Sequence, residues 1–312
     1  MGPPVTALHH KKDAFMKIMV TGASGLVGTQ LLSLLKKEGH EVVTLSRQGP
    51  RSASERQWDF AGTLPAGTLD GIDAIVHLAG ENIGEGRWTA AKKQRIRNSR
   101  VDGTRLLSEA AAASQGAVKA FVCASAIGFY GNRGNEVLTE ESAPGSGFLP
   151  DVCREWEAAT TPAKRAGVRV VNVRLGVVLS TAGGALGKML LPFKLCVGGV
   201  IGSGTQYWSW LTVAEAARIF AFAVQNPDLH GPVNAASPQP VTNAEFTKAL
   251  GRVLHRPTIF PLPAFMARLA LGEMADDLIL GSTRVVPTRL QAAGYQFQNP
   301  EIEAALTASI RA

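Results

Sequence analysis

The sequence predicts an α/β protein, a doubly wound parallel sheet followed by a small, mainly helical C-terminal lobe. Three observations predict it. The first is Lys17-Ile-Met-Val-Thr21-Gly22-Ala-Ser24-Gly25-Leu26-Val27-Gly28, an apolar run that enters a turn with glycines at Gly22, Gly25 and Gly28 and leaves as an amphipathic stretch to Lys37. That order reads as strand, tight turn, helix. The second is Glu41-Val-Val-Thr-Leu45, a strand separated from the first by one helix, which makes a βαβ unit and implies parallel pairing. The third is the end of the chain, where 243–254, 263–271, 287–293 and 300–310 read as short helices, three of them opening at a proline.

The glycine turn is the site around which the rest is arranged. Gly22 permits the turn, Gly25 lets backbone approach a pyrophosphate, and Gly28 lets the helix pack on the strand, so a ligand's negative charge meets unpaired amides at a helix N-terminus. The spacing is G-x-x-G-x-x-G, one residue wider at the first gap than the usual G-x-G-x-x-G. Ser24, Gly25, Leu26 and Val27 are the candidate phosphate contacts. The second strand ends in Ser46-Arg47, with Arg51 close behind and no acidic residue. An acid there would accept hydrogen bonds from a ribose, whereas arginine accommodates a 2′-phosphate, which predicts NADP(H) over NAD(H).

Composition bounds the alternatives. The chain has 312 residues, 46% of them hydrophobic, enough to bury a sizeable core. The longest apolar run, Met189 to Ile201, is interrupted by Pro192 and Lys194, too short to span a membrane. Three cysteines, Cys123, Cys153 and Cys196, have no metal-ligand spacing and suggest neither a disulfide framework nor a metal site. A cytoplasmic setting fits. Net charge is +7, but aromatic residues are not interleaved with the basic ones, so no nucleic-acid partner and no membrane partner is expected. Residues 1–15 carry no apolar core of signal-peptide length and read as a flexible extension before Met16.

Further along, Asp73-Ala-Ile-Val-His77-Leu78-Ala79-Gly80 is an apolar strand ending in small residues, and a histidine in such a strand is expected to be structural. Lys93, Arg97 and Arg100 share a face of the next helix, Thr89 to Ala113. A fifth strand, Ala120 to Ala124, delivers Ser125 and Tyr130. Val168 to Leu179 reads as a sixth strand. Residues 183–204 are glycine-rich and mobile-looking, and Gln206-Tyr-Trp-Ser-Trp210 is a candidate substrate wall. The expected domains are residues 16–180, a Rossmann-type nucleotide-binding domain, and residues 181–312, a substrate-binding lobe from which some strands rejoin the main sheet.

The glycine loop, the Ala79-Gly80 element and the serine after the fifth strand together resemble the short-chain dehydrogenase/reductase superfamily in its extended, epimerase-like branch. The resemblance covers residues 16–312. The closing pattern from Gly272-Glu273 to Gly294-Tyr295 and the Cys153-x-x-Trp156-Glu157 helix resemble one atypical branch, whose members are called epimerase-like or cell-division-inhibitor-like. The resemblance implies Asp59 beside the adenine, Leu78, Ala79 and Gly80 at the ribose and pyrophosphate, Ala124 near the cofactor, and Arg174 shaping the nicotinamide pocket. It implies Ser125 as the catalytic hydroxyl, with Tyr130 the nearest other hydroxyl and Arg100 a guanidinium near the site. The superfamily's Tyr-x-x-x-Lys pair is absent: aligning Glu157 puts Leu149 and Cys153 at those positions. The expected function is NADP(H)-dependent oxidoreduction or epimerisation of a small carbonyl, alcohol or nucleotide-sugar-like substrate, by a monomer or homodimer. The rival is a non-catalytic NADP(H)-sensing regulator or scaffold.

Overall fold

The computed structural model describes residues 15–47, 50, 52–60 and 62–311. The expected extension before Met16 lies outside them apart from Phe15, as does Arg51. In chain order the first half runs β1 (Lys17–Thr21), α1 (Leu26–Lys37), β2 (Glu41–Ser46), β3 (Glu55–Gln57), β4 (Ala74–His77), α2 (Ala90–Ala113), β5 (Ala120–Ala126), β6 (Val137–Leu138), α3 (Phe148–Ala158), α4 (Thr161–Arg165) and β7 (Arg169–Leu175). The second half runs β8 (Val177–Leu179), α5 (Gly184–Lys194), β9 (Tyr207–Trp208), β10 (Trp210–Thr212), α6 (Val213–Gln225), β11 (Gly231–Ala235), β12 (Val241–Thr242), α7 (Asn243–Leu254), α8 (Ala264–Leu271), β13 (Arg284–Val285), α9 (Thr288–Ala292) and α10 (Ile302–Arg311).

Seven strands form one sheet in the order β11-β7-β5-β4-β1-β2-β3, every pair parallel. The order reverses between β1 and β4, so the crevice at their C-terminal ends is where such a sheet takes its ligand. A sheet of this kind is covered on both faces, which is why its strands are nearly unbroken apolar runs: Ile18, Met19 and Val20 of β1 are fully buried. α1 packs with α6, and α2 packs with α3 and α4.

Three sequence expectations change. Val168 to Leu179 is divided at Gly176: β7 stays in the main sheet, while β8 pairs with β10 in the lobe. A Cβ at Gly176 would stand 2.6 Å from the Ser209 carbonyl oxygen, so the two segments meet there only through a glycine. The glycine-rich stretch also holds a packed helix, α5, with Leu186 and Phe193 buried. Two of the Gln206–Trp210 aromatics are core, with Trp208 tilted against Phe246 at 5.2 Å and Trp210 buried, while Tyr207 is half-buried. Beyond them β11 returns to the main sheet beside β7.

Candidate functional site

The glycine loop is built by close backbone contact. Gly22 has φ +67°, and a Cβ there would lie 2.7 Å from the Leu78 carbonyl carbon. At Gly28 a Cβ would meet the Gly22 oxygen at 2.3 Å. Both positions exclude any side chain, so the turn is pressed against the end of β4 below and against α1 behind. Gly25 is the N-cap of α1 and offers no side-chain cap, which leaves the first amides of the helix open toward the exposed Ser24 and Gly25. Leu26 and Val27 are partly buried. The loop is tied to β4 by Thr21, whose hydroxyl oxygen accepts from the Leu78 and Ala79 amides at 3.1 and 3.2 Å.

His77 faces Thr21 across the same junction, Nδ1 to Oγ1 at 2.7 Å. Burial, with the charge of Arg100 adding to it, pushes its pKa down to about 3. The ring is neutral and structural. Ser46 closes β2 and Arg47 follows it, exposed, its carbonyl accepting from Gln57. Asp59 is exposed between buried Trp58 and partly buried Phe60. Arg100 lies directly beneath Gly80, where a Cβ would stand 3.4 Å from its Cζ. Its guanidinium donates to the carbonyls of Glu81 and Ile96 at 3.0 and 3.1 Å and stacks over Trp156. Arg100 therefore holds the Gly80–Glu81 backbone in place.

Ser125, Tyr130 and Arg174 are brought together, but through Glu157. Ser125 donates to Glu157 Oε1 at 2.7 Å, and Arg174 forks both carboxylate oxygens at 2.7 and 2.8 Å. A third nitrogen of Arg174 donates to the Tyr130 hydroxyl at 2.9 Å, and Tyr130 donates onward to Asn234 Oδ1 at 2.6 Å. The Arg174 side chain is 4% exposed, and its guanidinium lies 3.5 Å over the Phe129 ring. Tyr130 is fully buried, and burial raises its phenol above the ordinary value. Its hydroxyl is enclosed with both partners supplied, so it does not face the cleft. Arg174 is engaged in the same internal network. Ser125 and Ala124 are buried on β5 with them.

The two positions of the absent acid/base pair are filled by packing. Leu149 joins Phe148, Ile83 and Trp88 in an apolar cluster completed by Leu271, Met274 and Leu278 of the lobe. Cys153 is buried, and desolvation together with Glu157 pushes its thiol up to about 12, which leaves it protonated and inert. Beside them opens a cavity of about 290 Å³, lined by Gly128, Ser146, Leu149, Asp277 and Thr283 among others. Asp277 stands on a π-helical turn, Asp276–Leu280. Its neighbour Asp276 is paired with Arg268 at 2.9 Å. Partial desolvation and the nearby Glu273 and Asp276 raise the Asp277 carboxyl above its ordinary range, and Lys93 opposes them. Sequence reasoning missed Asp277; its one signal was an Asp-Asp pair just before Gly281. Among the described residues no group of three or more His, Cys, Asp or Glu side chains could hold a metal ion.

A parallel sheet in this strand order, a glycine loop after β1 and a lobe packed beside β5 and α3 define an extended short-chain dehydrogenase/reductase fold. The chain belongs to the NAD dependent epimerase/dehydratase family, whose model matches residues 18–236; residues 262–309 match a second family, a domain of unknown function, DUF1731. It is 41% identical over 291 residues to epimerase family protein ML0860 of Mycobacterium leprae, covering 93% of this chain and 94% of that one. It is 38% identical over 297 residues to human epimerase family protein SDR39U1, covering 93% and 98%. The crystal structure of human SDR39U1 (isoform 2) with NADPH superposes with a TM-score of 0.87 at 36% identity, covering 95% of this chain and 99% of that one.

Proposed function

We propose that the chain binds NADP(H) at the β1–β4 crevice and acts as an oxidoreductase or epimerase on a small carbonyl, alcohol or nucleotide-sugar-like substrate. The observation that carries this reading is the cradle itself. Gly22 and Gly28 leave no room for a Cβ, and the uncapped start of α1 presents free amides to a pyrophosphate. Exposed Arg47 at the end of β2, where an NAD site carries an acid, suits a 2′-phosphate, and the NADPH held by human SDR39U1 supports the same choice.

In this reading the amides of Leu26 and Val27, with Ser24 and the side-chain-free Gly25, whose own amide closes the turn onto the Gly22 carbonyl, hold the pyrophosphate. Ser46 and Arg47 take the 2′-phosphate, Asp59 the adenine side, and Leu78, Ala79 and Gly80 the ribose. The bound dinucleotide supplies a hydride acceptor or donor. Ser125 at the end of β5 orients the substrate oxygen, held in place by Glu157 and Arg174. Arg100 keeps the Gly80 backbone in position and contributes positive charge to the floor of the cleft. Tyr130 is not assigned a proton, because its hydroxyl is committed to Asn234 and Arg174. Asp277 is the group in the cavity suited to accept or give one.

The reading is tested by titrating the protein with NADPH and NADH while following nicotinamide fluorescence, wild type beside Arg47→Ala. Tight NADPH binding that weakens about tenfold or more in the variant is expected, since a charge-assisted contact contributes roughly 1.5–3 kcal/mol. Failure of both cofactors to bind would overturn it. One observation favours a second reading, a non-catalytic NADP(H) sensor: Leu149 and Cys153 occupy the acid/base positions and are packed, not merely substituted. A sensor would bind NADPH yet show no substrate-dependent oxidation in a carbonyl and alcohol screen, and Ser125→Ala would leave its properties unchanged.

A further inference from the structure

The outer side of the lobe carries an apolar face that the site does not use. The last turn of α5 and the residues after it present Leu191, Leu195 and Val197, and the segment entering α8 presents Ile259 and Phe260, at exposures between 55% and 70%. These two stretches run side by side: Leu262 N–H donates to Val200 at 2.8 Å, Gly202 N–H returns to Leu262 at 2.9 Å, and Arg256 donates to the Lys194 carbonyl at 3.2 Å. α8 extends the face in an unusual way for a soluble helix. Of its eight residues only Ala267 is buried, while Phe265 and Leu269 are 68% and 74% exposed. An apolar surface of this extent and continuity marks a docking site.

Its charge says what docks. The two segments that build it, residues 184–202 and 246–272, contain six basic residues and no Asp or Glu. Arg252 and Arg268 are paired to carboxylates from outside those segments, Glu303 and Asp276. Lys194, Lys248 and Arg256 have no carboxylate partner among the described residues. A second copy meeting this face would bring two sets of cations without carboxylate partners into one interface. Exposed aliphatic and phenyl groups beside unpaired cations instead match an interface of acyl chains and anionic headgroups.

We propose that this face docks the protein on an anionic lipid surface. No helix among the described residues is long and apolar enough to cross a membrane, so the contact is peripheral. It modifies the sequence expectation of no membrane partner and is independent of what the cofactor cleft binds.

The test is co-sedimentation of the full chain with vesicles of phosphatidylcholine alone and of phosphatidylcholine mixed with phosphatidylglycerol. Binding to the mixed vesicles, not to the neutral ones, and release by added salt are expected. Phe260→Ser with Phe265→Ser should lower the bound fraction about tenfold by removing apolar burial, and Lys194→Gln with Arg256→Gln should do so by about as much. These side chains are exposed, so melting followed by circular dichroism should stay near wild type and separate lost docking from lost fold. Equal binding to both vesicle types, unaffected variants, or no vesicle binding by the wild type overturns the proposal. The last result, with a dimer in sedimentation velocity that the phenylalanine pair disrupts, would assign the face to self-association instead.

Discussion

Burial of His77 makes one residue a reporter of the sheet's integrity in acid. Its ordinary pKa of 6.5 is brought to about 3 in the folded chain, so below pH 6.5 the unfolded chain takes a proton that the folded one refuses. The sign follows from that difference: this contribution to stability is intact above 6.5 and is lost as pH falls, at up to about 1.4 kcal/mol per pH unit, until the folded ring also titrates. His77→Gln removes the effect. The stability gap between wild type and variant, measured by urea unfolding, should therefore narrow between about pH 7 and pH 5; a constant gap would show that the ring is protonated in the fold. Residues of this kind differ in how far the sequence reveals them. Gly22 and Gly28 were legible because each demand falls on its own missing Cβ, within a local strand-turn-helix pattern. The duty of Arg174 was not, because its partner Glu157 lies on a helix 17 residues earlier, and only the fold brings the pair into contact. Tyr130 was misjudged for the same reason: its partner Asn234 is 104 residues away.

At the scale of elements, strands and helices with strong periodicity came through, and the exceptions trace to single contacts. α1 and β2 stand where the apolar pattern put them. The run Val168 to Leu179 reads as one valine-rich strand with Gly176 its one local sign of a break, yet β7 and β8 belong to different sheets because the Ser209 backbone meets the chain at Gly176. That contact makes a test. Gly176→Ala would place a methyl 2.6 Å from a carbonyl oxygen that is itself held, since Ser209 accepts the Val177 amide at 2.8 Å. Neither side can retreat without loosening the β8–β10 pair. The substitution should destabilise the protein by about 1–3 kcal/mol, the usual penalty of overpacking, and appear as a lower urea midpoint. An unchanged midpoint would mean the junction has room that the backbone positions deny. α5 was hidden for the opposite reason: its glycines suggest mobility, and only Leu186 and Phe193, buried against the lobe, explain why it is helical.

At the scale of the molecule, the cleft is a joint product of two regions that match different families. The first region supplies the glycine loop and α3 with Leu149; residues 262–309 supply the apolar cover over Leu149 and a cavity-lining carboxyl raised above its ordinary range, Asp277. No pattern in the sequence could place that carboxyl, since its position depends on how the lobe closes on α3. If the domain of unknown function completes the chemistry, Asp277 carries the proton that the absent tyrosine would have handled. As a base it must be ionised, and its carboxyl is held above the ordinary range by partial desolvation and by Glu273 and Asp276. Turnover on a substrate found by screening should then fall as pH drops through that raised value. Asp277→Asn should lower kcat by roughly 10²–10⁴ and abolish this acid limb, while NADPH affinity stays at the wild-type level because the glycine loop is untouched. Asp276→Asn, which removes only the surface pair with Arg268, should leave the rate within a small factor. Loss of NADPH binding in Asp277→Asn would point to a collapsed lobe instead of a lost proton relay, and an unchanged rate and pH profile would remove Asp277 from the chemistry altogether.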